Sequence, residues 1–201
     1  MIKSDVEVCA KLVRSAVVKE SNDGKSFLSF GVKLPISGRD GAEKDLDISV
    51  SIDGDKSSKG VYVEGRKVKI QGVLTIRKKD GSTYYNLRAS SAEICKSSEE
   101  SSISGTLEFL GKIGSKGVEV HVDKKGNEFK TFSAFSLDKD GENREFTWVR
   151  FLHFHPQEND DFLTANAYVK VVGDLQIGVF KDAISFDCKI NEVTPWEIQK
   201  K

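Results

Sequence analysis

The stretch KVKIQGVLTI, residues 67–76, is followed 101 positions later by YVKVVGDLQI, residues 168–177. In both stretches apolar side chains recur at every second position on the approach to a central glycine, Gly72 in the first and Gly173 in the second. A period of two is typical of a β-strand that buries one face. The pair therefore predicts a duplicated strand and, around it, a duplicated domain.

Two further pairs of stretches support the duplication. DGKSFLSF, residues 23–30, matches KGNEFKTF, residues 125–132, at an offset of 102, and EKDLDISVSI matches NREFTWVRFL at an offset of 100. The second alignment sets Ile48 opposite Trp148 and Val50 opposite Arg150. Three anchors in one order predict two tandem copies, at residues 1–95 and 105–201, joined by a polar, serine-rich linker at 96–104.

Short turn signals separate the alternating stretches. NDGK, KKDGS, KKGN and DKDGEN each combine glycine with Asn, Asp or Lys, as tight turns require. Regular turns between short alternating runs predict an all-β protein made of barrels or sandwiches. One segment, ENDDFLTANAYV at 158–169, is predicted to hold a short helix between strands.

The stretch EFTWVRFLHF, residues 145–154, places an arginine among aromatic residues. With a strand period, Trp148, Arg150 and Phe154 share one face with Phe146, while Phe151 lies on the other. A guanidinium in an apolar interior needs a partner, so the face with Arg150 is predicted to face solvent and the face with Phe151 to face the core. The alternative is that the rings are buried and Arg150 extends to an edge.

Composition indicates a soluble globular protein. The 31 basic and 31 acidic residues cancel, so no net positive charge points to a polyanionic partner. Residues 1–95 hold 5 of the 18 aromatic residues and an excess of basic over acidic side chains, whereas residues 105–201 hold 13 aromatic residues and an acidic excess. No signal peptide or membrane-length apolar run is recognisable, and the location expected is cytoplasmic, with no membrane partner.

No catalytic or metal-binding motif is recognisable, so neither an enzyme, a cofactor nor a metal is expected. Cys9, Cys95 and Cys188 lack a metal-type spacing and are interpreted as small core residues in a reducing compartment. The HFH triplet at 153–155 offers only two ligands on a strand. Asp160 and Asp161 are interpreted as solvated loop residues. No nucleophile elbow or phosphate-binding glycine motif is present.

The chain resembles the bacterial single-stranded DNA-binding proteins. The resemblance lies in GTLEFLGKIG, NEFKTFSAFSL, FTWVRFLHF and the final stretch YVKVVGDLQIGVFKDAISFDCKINEVTPWE, with the same rhythm in the first copy. It implies two tandem OB-folds, five-stranded Greek-key barrels that bind oligonucleotides across one face. The family's acidic C-terminal tip does not follow TPWEIQKK, so recruitment of partners through such a tip is not expected.

Matching residues identify a candidate nucleic-acid site. In the second copy the resemblance implies stacking and groove roles for four aromatic residues and one arginine: Phe135, Trp148, Arg150, Phe154 and Phe180. The first copy has a basic hairpin opposite Phe180, made of Arg77, Lys78 and Lys79. Either this hairpin contacts phosphates while the second copy stacks bases, or the first copy is structural or forms a dimer.

The sequence thus predicts a protein that binds single-stranded DNA with little sequence preference and protects it in replication, recombination or repair. Single-stranded RNA is the alternative nucleic-acid partner. A protein-interaction scaffold, in which the aromatic face binds a polypeptide, is the alternative from another class. By resemblance, two double-OB chains are expected to associate as a homodimer.

Overall fold

The structure, a computed structural model, describes residues 2–38, 41–140, 143–157 and 160–197. Ten strands and two short helices occur in these segments. The strands of the first copy are β1 (Ile2–Glu20), β2 (Ser26–Ser37), β3 (Glu43–Asp53), β4 (Lys67–Lys79) and β5 (Ser82–Cys95). Those of the second copy are β6 (Ser102–Val122), β7 (Glu128–Asp140), β8 (Asn143–His153), β9 (Tyr168–Phe180) and β10 (Ala183–Pro195).

Two 3₁₀ helices of three residues each connect strands, Lys59–Val61 before β4 and Asp160–Phe162 before β9. The second confirms the short helix predicted between strands. Neither is long and apolar enough to cross a membrane, and no other helix occurs in the described segments. The first three residues of β6, 102–104, belong to the predicted serine-rich linker.

Each copy closes into a five-stranded barrel. In the first, β1 pairs with both β2 and β4, β2 with β3, β4 with β5, and β3 runs parallel to β5. The second repeats the scheme, with β6 pairing with both β7 and β9 and β8 parallel to β10. This is the Greek-key arrangement implied by the resemblance. One long strand serves two neighbours because it bends at a bulge, after Leu12 in β1 and after Ile113 in β6.

The two glycines that first indicated the repeat have the same structural role. A Cβ on Gly72 would lie 2.2 Å from the carbonyl oxygen of Arg88, and one on Gly173 would lie 2.1 Å from that of Lys189. In both copies the neighbouring strand pairing is irregular at this point. Only glycine permits so close an approach of two strands, so the same residue recurs in both copies.

The core lies inside the barrels and follows the predicted alternation. In β3 the buried residues are Leu46, Ile48 and Val50, and in β8 Val149 and Phe151 are buried in the same way. Phe151 packs against Phe109 and Phe132, with ring centroids 4.9 and 5.1 Å apart. Burying a side chain of this size contributes about 1.5–3 kcal/mol to folding.

A local twofold axis relates the two barrels at their interface. β1 and β6 run antiparallel, and Asp5 lies opposite Thr106, its own equivalent at an offset of 101. Tyr85 and Phe186, also 101 positions apart, bring their rings to 6.3 Å across the interface. Burial raises the pKa of Tyr85 to about 12. A self-complementary strand pairing of this kind is the intramolecular counterpart of an isologous dimer contact.

The sequence alignment of the third strands was wrong by one residue. Val32 lies opposite Ile48 in the first copy, and its equivalent Ala134 lies opposite Val149 in the second. The structural equivalents of Trp148 and Arg150 are therefore Asp47 and Ser49, both exposed, and not the buried Ile48 and Val50. A slip of one residue exchanges the two faces of a strand, which is why the error matters.

The interpretation of Asp160 as a solvated loop residue was also wrong. Asp160 is only 4% exposed, its Oδ2 lies 2.9 Å from Nε2 of His153, and it accepts a 2.7 Å hydrogen bond from the backbone N–H of Gln157. Lys130 Nζ lies 3.8 Å from the same oxygen. These contacts fasten the loop after β8 to the barrel, because a buried carboxylate requires such partners.

Candidate nucleic-acid interface

β8 presents Trp148 and Arg150 to solvent. The alternation of the strand buries Val149 and Phe151 and leaves Trp148 51% exposed, with Arg150 exposed beside it. The prediction of which face of this strand is solvent-facing is confirmed, and the alternative of buried rings is wrong for Trp148. An exposed ring next to a guanidinium can stack on a base while the guanidinium meets a phosphate.

Three rings form one cluster at the centre of this face. Phe135 on β7 lies 4.9 Å from Trp148 and 5.1 Å from Phe146, centroid to centroid. A Cβ on Gly114 of β6 would lie 3.1 Å from Cζ3 of Trp148, so this glycine leaves room for the indole. The half-buried Phe135 supports the two more exposed rings and limits their motion.

Cavities flank Trp148 and Arg150 on both sides. One of 470 Å³ lies toward β6 and is lined by Lys116, Glu119 and His121, among others. The other, of 820 Å³, extends toward the β9–β10 hairpin. Ser133, Trp148 and Arg150 line both cavities, so the two lie side by side across β7 and β8. Their volumes lie in the range of about 300–1,000 Å³ that is typical of ligand sites.

Phe180 lies at the end of the larger cavity. It is 64% exposed at the end of β9, and Nζ of Lys181 lies 5.4 Å from its ring centroid. Lys181 and Asp182 have positive φ angles of 48° and 57°, as tight two-residue hairpin turns require. The turn thus presents a ring and a cation together at one end of the path.

A second group of rings lies around Phe154. Phe129 stacks between His121 and Phe154, at centroid distances of 5.1 and 5.4 Å, and Nζ of Lys189 lies 5.8 Å from the Phe154 ring. A cavity of 630 Å³ is lined by Phe129, Phe154, His155 and Lys189. The sequence prediction included Phe154 but missed His121, Phe129 and Phe146, although Phe146 stands two residues before Trp148 and Phe129 was an anchor of the repeat.

The basic hairpin of the first copy lies against the second copy. Nζ of Lys78 lies 3.7 Å from Oε2 of Glu145, and the backbone N–H of Lys78 donates to Oδ2 of Asp138 at 3.2 Å. The N–H of Gly81 donates to Oε1 of Glu145 at 2.9 Å. Arg77 is exposed, and Lys79 is exposed but has contacts of its own. The hairpin therefore lies at the end of β7 and β8 near Phe146, where Lys78 contacts Glu145 and Asp138.

The corresponding face of the first copy is dominated by ion pairs and keeps one ring, Phe27, the equivalent of Phe129. Lys33 is the equivalent of Phe135. Its Nζ lies 3.0 Å from Oδ2 of Asp45 and 3.8 Å from Oδ1 of Asp47. The hydrogen bond to Asp45 and the charges of both carboxylates raise the pKa of Lys33. Arg88 pairs with Asp53, which takes the place of Phe154. Asp45, Asp47 and Asp53 stand where the second copy has Phe146, Trp148 and Phe154, so this face offers fewer rings for base stacking and carboxylates that repel phosphates.

Comparison with solved structures supplies the fold. The wild-type single-stranded DNA-binding protein from Thermus aquaticus aligns with a TM-score of 0.51 at 12% sequence identity, over 98% of this chain and 95% of that one. The prediction of two tandem OB-folds is confirmed. The small single-stranded DNA-binding protein from Streptomyces coelicolor aligns over 47% of the tandem OB-fold chain and 97% of its own, with a TM-score of 0.37 at 14% identity. No protein-family model and no curated protein match the chain.

Proposed function

We propose that the protein binds single-stranded DNA with little sequence preference across the aromatic face of the second OB-fold. The observation that carries the proposal is the exposed pair Trp148 and Arg150, placed on one strand between two adjoining cavities. Stacking tolerates any sequence because every base has a π-face, and cations track the backbone. The solved Thermus aquaticus protein with the same fold is named for single-stranded DNA binding, which is consistent with this function.

The proposed path of the strand follows the exposed rings. It passes from Phe180, over the cluster of Trp148 and Phe146, to Phe154. Lys116 lines the smaller cavity, and Lys181 and Lys189 lie beside the terminal rings, so phosphates would meet cations along the path. By family resemblance alone, we also propose that two chains associate and that they protect single strands in replication, recombination or repair.

Fluorescence titration with an oligothymidylate tests the proposal. The chain has two tryptophans, so a Trp196→Phe background isolates Trp148. Stacking of a base on Trp148 is expected to quench its emission. Affinity is expected to fall as salt rises, because lysine and arginine side chains that contact phosphates displace the counterions bound to the DNA. A duplex of equal length should bind at least tenfold more weakly, since its bases cannot reach the rings.

The comparison ligands separate the alternatives. Tighter binding of oligouridylate than of oligothymidylate would favour RNA as the ligand. Neither quenching nor retardation by either oligonucleotide at low salt would contradict nucleic-acid binding and favour a protein-interaction scaffold.

The role of the first copy is tested at its hairpin. We propose that Arg77 and Lys79 meet phosphates while Lys78 holds the hairpin to Glu145. Replacing Arg77 and Lys79 by alanine is then expected to reduce the slope of log affinity against log salt by about one for each lost contact. The control replaces Lys56 and Lys59, two exposed lysines before β4, and should leave the slope unchanged. Equal slopes in both double variants would assign the hairpin to the contact between the copies alone.

A further inference from the structure

Two cysteines that are 86 positions apart in the sequence meet in the fold. Sγ of Cys9, on β1, lies 3.8 Å from Sγ of Cys95, the last residue of β5. Cys9 is buried and Cys95 half-buried, and the two thiols are free. Disulfide sulfurs are about 2.05 Å apart, so this contact is not a covalent bond.

A carboxylate completes the group. One oxygen of Glu99 and the two sulfurs all lie within 4.8 Å of one another. Glu99 is placed by the turn that follows β5, in which its N–H donates to the carbonyl oxygen of Lys96 at 3.1 Å. Three potential ligands from three segments thus converge: the first strand, the end of the last strand of the first barrel, and the chain that leads into the second.

The spacing fits a tetrahedral thiolate site. With Zn–S bonds of about 2.3 Å, two sulfurs of a tetrahedron are about 3.8 Å apart. The observed separation of Cys9 and Cys95 equals that edge. The Glu99 oxygen, within 4.8 Å of both sulfurs, must move closer to reach a Zn–O bond of about 2.0–2.2 Å. Oε1 of Glu99 accepts a 3.3 Å hydrogen bond from the backbone N–H of Lys96, and rotation of this exposed side chain can bring a carboxylate oxygen to the ion.

Charged side chains of both signs surround the two thiols. Nζ of Lys67 donates a hydrogen bond to the backbone carbonyl oxygen of Glu99. The other nearby cation, Lys69, lies 2.8 Å from Oε1 of Glu7 and is largely balanced by it. Two thiols and two carboxylates thus face two lysines.

We propose that Cys9, Cys95 and Glu99 bind a thiophilic divalent cation such as Zn²⁺, with water as the fourth ligand. On binding, the two thiols lose their protons to solvent and two metal–sulfur bonds form, with no change in oxidation state. Cys9 lies opposite Ser102, the first residue of β6, so the ion would fix the connection between the two barrels. Thiolates select Zn²⁺ over Mg²⁺, which prefers oxygen ligands.

Cobalt titration of the reduced, chelator-treated full chain tests the site. We expect one Co²⁺ per chain with thiolate charge-transfer absorbance, displaced by Zn²⁺ and not by Mg²⁺. Cys95→Ser should abolish this absorbance, and Glu99→Gln, at an exposed position, should weaken Zn²⁺ binding at least tenfold. Cys188→Ser removes a buried thiol elsewhere and should leave cobalt and zinc binding unchanged.

The affinity for Zn²⁺ should depend on pH. Below the thiol pKa values it should rise up to about 100-fold per pH unit, because two protons are released on binding.

Three results would overturn the proposal. One is the absence of thiolate–cobalt absorbance in the reduced wild-type chain. Another is absorbance that persists in Cys95→Ser when melting shows that this variant is folded. The third is a reduced chain that binds no Zn²⁺ but forms a Cys9–Cys95 disulfide under mild oxidation, which would make the pair a redox contact instead.

Discussion

Trp148→Ala is expected to weaken binding of an oligothymidylate by about 1–3 kcal/mol, or roughly 5- to 150-fold, the usual contribution of one stacked base. The indole is 51% exposed and packs on Phe135 and beside Gly114, outside the buried core, so its removal should barely change the melting temperature. Electrophoretic or anisotropy titration measures the affinity, because the variant has lost the fluorescent reporter.

Trp148→Phe is the matched variant, since it keeps a ring at the same position. It should recover most of the lost affinity. If alanine and phenylalanine at position 148 bind equally well, the strand does not stack there. If Trp148→Ala instead melts at a much lower temperature, the ring is part of the core.

Phe151→Ala is expected to have the opposite pattern, with a loss of about 3–5 kcal/mol in the free energy of unfolding. Phe151 is fully buried between Phe109 and Phe132, and truncation leaves a cavity that these rings cannot fill. Denaturant unfolding measures the loss. At a temperature where the variant is still folded, its affinity for the oligonucleotide should remain within about twofold of the wild type.

The two substituted positions, 148 and 151, lie on opposite faces of β8, so the two variants together test both faces of the strand. Phe151→Leu is the conservative control, because it keeps most of the buried volume and should cost less than Phe151→Ala. If Phe151→Ala keeps the wild-type stability while Trp148→Ala is destabilised, the two faces of β8 are assigned in reverse.

Local sequence rules were sufficient for the strands and for the faces of β8. A strand has a period of two whatever its surroundings, so the alternation in β8 put Trp148 and Phe151 on opposite faces, and the charge of Arg150 predicted that the face with Trp148 is exposed. Gly24 and Gly126 predicted equivalent turns, and both have positive φ, 78° and 85°. The duplication also followed, because it depends on the order of elements and not on any single contact. Alternation and turns left barrels and sandwiches open, and only the family resemblance implied closed five-stranded barrels.

Register between the copies could not be read from the sequence. The third strands share little beyond alternation, and a shift of one position preserves alternation while it exchanges the faces. Only the pairing of β2 with β3 and of β7 with β8 shows that Asp47, and not Ile48, takes the place of Trp148. The structure therefore decided that the first copy carries ion pairs where the second carries rings.

The sequence by itself determined the all-β tandem architecture and the strand that carries the exposed rings, since both follow from local periodicity and turn chemistry. Only the tertiary structure brought Cys9 to Cys95, buried Asp160 against His153 and docked Lys78 on Glu145. Each of these contacts joins residues whose proximity depends on barrel closure, on a folded loop or on the pairing of β1 with β6. Spacing along the chain does not predict the contacts of Cys9 with Cys95 and of Lys78 with Glu145, because packing of distant segments creates them. His153 and Asp160 are only seven positions apart, and their contact depends on how the loop between them folds.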